Sequence, residues 1–160
     1  MRFVESGSFR VLQYKHSVKI CHRRISMKNN HIKDQAILNR CIQSCEATID
    51  ACQTVIDMCS TAAQEECASA FGMAMGHCRN SVEECKKIMA YIAEHKESCS
   101  DTACVPMLTA LGKACHNCME SCSDCITKCK TEQEVCTESC LECIDACSAC
   151  AQACQEALSL

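Results

Sequence analysis

Cys136-Thr-Glu-Ser-Cys140-Leu-Glu-Cys143-Ile-Asp-Ala-Cys147-Ser-Ala-Cys150-Ala-Gln-Ala-Cys154 is the stretch that decides how this chain folds. Its cysteines are separated by steps of 4, 3, 4, 3 and 4 residues. Such steps keep side chains on one stripe of an α-helix, because residues three and four apart stack one turn above another. The segment before it repeats the rhythm. Cys115-His-Asn-Cys118-Met-Glu-Ser-Cys122-Ser-Asp-Cys125-Ile-Thr-Lys-Cys129 steps by 3, 4, 3 and 4, and a step of 7 then leads to Cys136. These are the a and d positions of a bundle helix, which ordinarily carry Leu, Ile or Val. Between Ala114 and Cys154 eleven cysteines stand beside only Ile126, Val135, Leu141 and Ile144 among the larger aliphatics. The seam of this bundle is thiol.

Working outward, the same period extends over most of the chain. A first helix is expected from about Ile32 to Cys59, with Leu38, Cys41, Cys45, Thr48, Cys52, Val55 and Cys59 on its stripe. Thr61-Ala62-Ala63-Gln64 has the form of a capping box that opens a second helix. That helix runs to about His95 through Cys67, Phe71, Met75, Cys78, Val82, Cys85, Met89 and Ile92. Gly72 and Gly76 weaken its beginning, so the connection is expected to extend to about residue 70. Lys96 to Ala103 reads as a polar loop containing Cys99. Pro106 suits the first turn of a third helix, about Val105 to Lys130, where its missing N–H costs little. Thr131-Glu132-Gln133-Glu134 is a second capping box, opening a fourth helix that ends near Leu158. The expected fold is all-α: an antiparallel up-down-up-down four-helix bundle with a cysteine-lined core.

Composition agrees. The 160 residues suit one domain. Five aromatics, one Pro and four Gly argue against a β-sandwich or barrel. No run reaches 18 apolar residues, so no membrane span is expected. Residues 1–40 hold nine Lys/Arg and two acids, leaving seven basic and 18 acidic residues, a charge of −11, in 41–160. An acidic main domain is a poor nucleic-acid binder. We therefore divide the chain into a basic extension, 1–29, and a metal-binding bundle, 30–160. His22-Arg23-Arg24-Ile25-Ser26-Met27-Lys28 resembles a twin-arginine export signal, but the apolar stretch that should follow is replaced by Asn29-Asn30-His31-Ile32-Lys33-Asp34. The extension is expected to be a disordered tail, or to precede a natural start at Met27.

Twenty-one cysteines would usually signal a secreted disulfide scaffold. The odd count, the helical spacing and a chain long enough to bury a core all oppose that reading. Cysteines along one helix face are poorly placed for unstrained disulfides. Free thiols facing inward form a ligand array instead. Soft thiolates select Cu(I), Zn(II) or iron–sulfur clusters. Zinc prefers discrete four-ligand sites, whereas here C-x-x-C and C-x-x-x-C pairs overlap without a break. Thiols must lose protons to bind metal. One Cu(I) per proton leaves the buried charge unchanged, while stacked divalent tetrathiolates would repel. No cluster-binding run of the ferredoxin kind occurs. The expected ligands of multiple Cu(I) ions are Cys41, Cys45, Cys52, Cys59, Cys67, Cys78, Cys85, Cys104, Cys115, Cys118, Cys122, Cys125, Cys129, Cys136, Cys140, Cys143, Cys147, Cys150 and Cys154. Met73, Met75 and His77 offer neutral thioether and imidazole ligands suited to a loading mouth, or fill the core as Met often does. His116 is expected to face outward, and His95 to sit at a helix C-terminus.

These two cysteine runs resemble the bacterial cysteine-rich copper storage proteins, four-helix bundles filled with Cu(I). The likeness covers about residues 33–158. It implies core-facing Cys ligands, a His/Met-bearing mouth and tetramers of bundles. The chain is similar to the cytosolic branch of that family, so a cytoplasmic copper store serving copper-accepting proteins is expected, with no catalytic activity, nucleic-acid partner or membrane partner. The first two helices are thinner in cysteine than the last two, and the extension before Met27 has no counterpart in that family. The competing readings are a zinc or cadmium thiolate buffer of metallothionein type, a thiol redox protein, and a bundle held by disulfides.

Overall fold

The computed structural model describes residues 34–60, 64–95, 104–131 and 136–159. They form four helices: α1, residues 34–60; α2, Gln64–His95; α3, Cys104–Thr131; and α4, Cys136–Leu158. No strand occurs among the described residues. No helix there is long and apolar enough to cross a membrane. By its contacts the chain divides into Met1–Ala36 and Ile37–Leu160. The second unit carries the bundle. The extension 1–29, the Lys96 to Ala103 segment with Cys99, and the Thr61-Ala62-Ala63 part of the first capping box lie outside the described residues.

The sulfur contacts fix the topology. Cys118 meets Cys147, Cys122 meets Cys143, and Cys125 meets Cys140, so α3 and α4 run antiparallel. Cys41 meets Cys85, and Cys52 faces Cys78, which sets α1 against α2 in the same way. Cys78 meets Cys143 and Cys85 meets Cys150, so α2 and α4 run parallel. The result is an up-down-up-down four-helix bundle, as expected.

α2 begins earlier than its glycines suggested, at Gln64 rather than near 70. A Cβ at Gly72 or Gly76 would meet nothing within 4 Å, so both lie on the open side of the helix. Their propensity cost, about 1 kcal/mol each, is outweighed by the face that α2 buries: Cys67, Ala70, Phe71, Ala74, Cys78, Ser81, Cys85 and Ile88. That face differs from the expected one by a fraction of a turn. Met75, Val82 and Met89 are only half-buried flanks. The tight centre takes the small neighbours Ala74 and Ser81, which a search for bulky apolar residues passes over. Thr131 belongs to α3 and does not cap α4; its hydroxyl donates to the Thr127 carbonyl at 3.0 Å.

Aliphatic side chains close one end of the core. Leu38, Ile88 and Leu111 lie one turn beyond Cys41, Cys85 and Cys115 and are buried. Burying each contributes about 1.5–3 kcal/mol. Ile92 Cδ1 and Met89 Sδ close over Gly112 at 3.6 and 3.9 Å from where a Cβ would stand. Outside, Glu84 binds Lys87 Nζ at 2.6 Å and approaches Arg40 Nε at 3.5 Å, tying α2 to α1.

Candidate metal centre

The bundle stacks its thiols in levels, each about one helical step from the next. At the first, Cys41 Sγ lies 3.9 Å from Cys85 and 3.8 Å from Cys150, and Cys150 lies 3.7 Å from both Cys85 and Cys115. At the second, Cys45 faces Cys118 and Cys147, which are 3.6 Å apart. At the third, Cys143 lies 3.7 Å from Cys78 and 3.5 Å from Cys122. At the fourth, Cys52 faces Cys125 and Cys140, themselves 3.8 Å apart. Cys122 also reaches Cys147 at 3.7 Å and Cys118 at 4.0 Å, joining the levels into one column.

Several groups of these sulfurs lie within 4.8 Å of one another and are fully enclosed. Two contain four thiols: Cys41, Cys85, Cys115 and Cys150; and Cys52, Cys78, Cys125 and Cys143. Three contain three: Cys45, Cys118 and Cys150; Cys118, Cys122 and Cys147; and Cys125, Cys129 and Cys140. A tetrahedral ion with metal–sulfur bonds of about 2.3 Å spaces its ligands about 3.8 Å apart. Four of the six sulfur pairs of the first level already stand at 3.7–3.9 Å, so binding requires loss of protons more than movement of the helices.

Burial and crowding set the acid–base character. Hydrogen bonding to Cys118, Cys122 and Cys143, followed by burial, pushes the Cys147 thiol up. Hydrogen bonding to Cys115, Cys118 and Cys150, together with burial, does the same to Cys85. Cys140 is pushed up to about 12, chiefly by its bond to Cys125. Cys122 is pulled down, because Cys118, Cys143, Cys147 and Cys78 all donate to it.

Two seam positions carry hydroxyls. Thr48 and Ser81 are fully buried, Thr48 Oγ1 lies 2.9 Å from Ser81 Oγ, and Ser44 Oγ adds a contact at 3.2 Å. Thr48 was legible on the α1 stripe. Ser81 was missed, although its position three residues after Cys78 and four before Cys85 marks it as a seam residue.

Sixteen cysteines are free among the described residues. Cys154 is buried at the aliphatic end, facing Cys115, Cys150 and Cys41. Cys59 is exposed and Cys67 buried; they face each other and belong to no group of three or more. The expectation that every seam cysteine is a free thiol fails at Cys104, Cys129 and Cys136. Cys129 and Cys136 form a disulfide, with Cα atoms 5.2 Å apart. This separation lies within the range a disulfide requires. The pair spans the α3–α4 connection rather than one helix face, so the argument against disulfides along a face did not apply to it. Cys104 is disulfide-bonded as well. The triad of Cys125, Cys129 and Cys140 is therefore available only after reduction.

Met73, Met75 and His77 do not converge. α2 continues through them, with Met73 exposed and Met75 packed against the core. At 3.6 residues per turn Met73 and His77 share a face and Met75 points elsewhere. They also lie well inside α2, not at its end. His116 faces outward as expected, 3.4 Å from Glu120. His95 Nδ1 lies 2.9 Å from the Tyr91 carbonyl and its ring stacks on Tyr91. No family model matches the chain, and neither a curated protein nor a solved structure matches it.

Proposed function

We propose that this protein binds and stores multiple Cu(I) ions in the thiol column of its bundle. The observation that carries the reading is the unbroken run of enclosed sulfurs on α3 and α4, spaced 3.5–4.0 Å and shared between neighbouring groups. Shared sulfurs suit a monovalent ion that accepts two or three ligands and bridges readily to the next. Each Cu(I) replaces one proton, so filling the column adds no net charge to a core that solvates charge poorly. The likeness of the two cysteine runs to the copper storage proteins points the same way. On this reading the protein is a non-catalytic copper store of the cytoplasm, assembled as a homo-oligomer, a tetramer by analogy, and yielding copper to accepting proteins.

The test is an anaerobic titration of the fully reduced protein with Cu(I) against a competing cuprous chelator. A store withholds many ions per chain, approaching one per column cysteine. Saturation after one or two ions, or equal competition by zinc, would overturn storage in favour of trafficking or divalent buffering.

A further inference from the structure

The seam has four thiols at some places and three at others, and the difference has a cause on α1 and α2. α3 and α4 supply two sulfurs at every level from Cys115 and Cys150 to Cys125 and Cys140. α1 and α2 both add a sulfur only at the first level, through Cys41 and Cys85. At the next two levels one of them carries a hydroxyl in the seam, Ser81 on α2 and then Thr48 on α1, and the two are hydrogen-bonded to each other. One level further α2 carries Ala74, but Cys78 joins Cys52, Cys125 and Cys143 into a second set of four.

We propose that the core contains two separate tetrathiolate sites for a divalent metal ion of the zinc class. The sites are Cys41, Cys85, Cys115 and Cys150 at one end of the column, and Cys52, Cys78, Cys125 and Cys143 at the other. They share no sulfur, so both fill at once. Their levels on α3, Cys115 and Cys125, are ten residues and thus about 15 Å apart along the helix, which separates the two charges. Binding is balanced as one divalent ion for four thiol protons released to solvent, leaving a site of charge −2.

The three-thiol groups do not serve such an ion. Cys45, Cys118 and Cys150 draws its Cys150 from the first site, and Cys125, Cys129 and Cys140 draws its Cys125 from the second. Cys118, Cys122 and Cys147 shares nothing with either, but among the described residues no fourth sulfur lies within 4.8 Å of all three. The hydroxyls of Thr48 and Ser81 are neutral, weak ligands already committed to each other. Cu(I), content with three sulfurs, has no such restriction. The middle of the column is thereby selective by coordination number. This inference rests on the reduced thiol core and not on the copper reading.

The experiment is an anaerobic titration of the reduced full-length chain with Co(II), read by the visible bands of tetrahedral cobalt thiolate and followed by displacement with Zn(II). Saturation at two equivalents with a four-sulfur spectrum is expected, matching the two four-thiol groups. Ser81→Ala, which removes a seam hydroxyl but no sulfur, leaves the count at two. Cys85→Ser and Cys78→Ser should each remove one equivalent. Wild-type saturation at one equivalent or at three and above, or a Cys78→Ser variant that is helical by circular dichroism yet still takes two, would overturn the proposal. A chain that fails the copper titration but takes two Co(II) would sink the store and leave these sites standing.

Discussion

The α3–α4 half and the α1–α2 half of the bundle solve the same packing problem with different materials. On α3 the buried residues from Cys115 to Cys129 are all cysteines, and α4 adds only Ser139 and Ala151 to its buried cysteines. On α1 and α2 the seam mixes thiols with Leu38, Thr48, Val55, Phe71, Ala74, Ser81 and Ile88. A thiol is small and buries less apolar surface than Leu or Ile, so a core of thiols alone would hold its helices weakly. The division of labour follows. One half supplies a continuous ladder of ligands, and the other supplies aliphatic closure and decides how many sulfurs complete each level.

The largest effect expected from this contrast concerns copper. Replacing Cys118, Cys125 and Cys150 by Ser should cost more bound Cu(I) than replacing Cys41, Cys45 and Cys52, because each of the first three belongs to two thiol groups and each of the second three to one. Native mass spectrometry of the loaded variants measures it, and equal losses would erase the distinction between the halves. For stability the contrast reverses. Ile88→Ala should lower the unfolding free energy of the metal-free protein by about 2–4 kcal/mol while leaving copper capacity intact. Chemical denaturation checks this, and metal should mask part of the loss because it binds the folded state.

The hydroxyl pair gives a smaller signal. Thr48→Val keeps the shape but takes the nearer partner from buried Ser81, leaving it Ser44 at 3.2 Å, and should cost about 1 kcal/mol. Smallest is the α3–α4 corner. Reduction of Cys129–Cys136 should expose two more alkylatable thiols by mass spectrometry and add about one Cu(I), since it completes a single three-sulfur group. No change in copper uptake would place that corner outside the ligand column.

The helices were legible because the period is unusually pure. Few residues other than cysteine occupy the seam of α3 and α4, so the 3–4 rhythm can be read without weighing hydrophobicity. α2 was harder. Its seam holds Ala74 and Ser81, and the neighbouring Met75 and Val82 look more like core by bulk alone. Gly72 and Gly76 read as breakers because propensity was judged without the packing that overrides it. The Met73, Met75 and His77 cluster was a cluster in sequence only, since alternate residues of a helix diverge in space.

The sequence alone determined that this is a bundle of four helices whose core is lined by cysteine, because helical periodicity is a local property carried by each segment. Only the tertiary structure decided which sulfurs share a site, which level lacks a fourth ligand, that Thr48 and Ser81 face one another, and that Cys129 pairs with Cys136. The physical reason is register. Spacing along one helix says which face a thiol occupies, but coordination depends on the axial offset between helices, and that offset is set by how the aliphatic ends and the small residues of α1 and α2 pack against the ladder of α3 and α4.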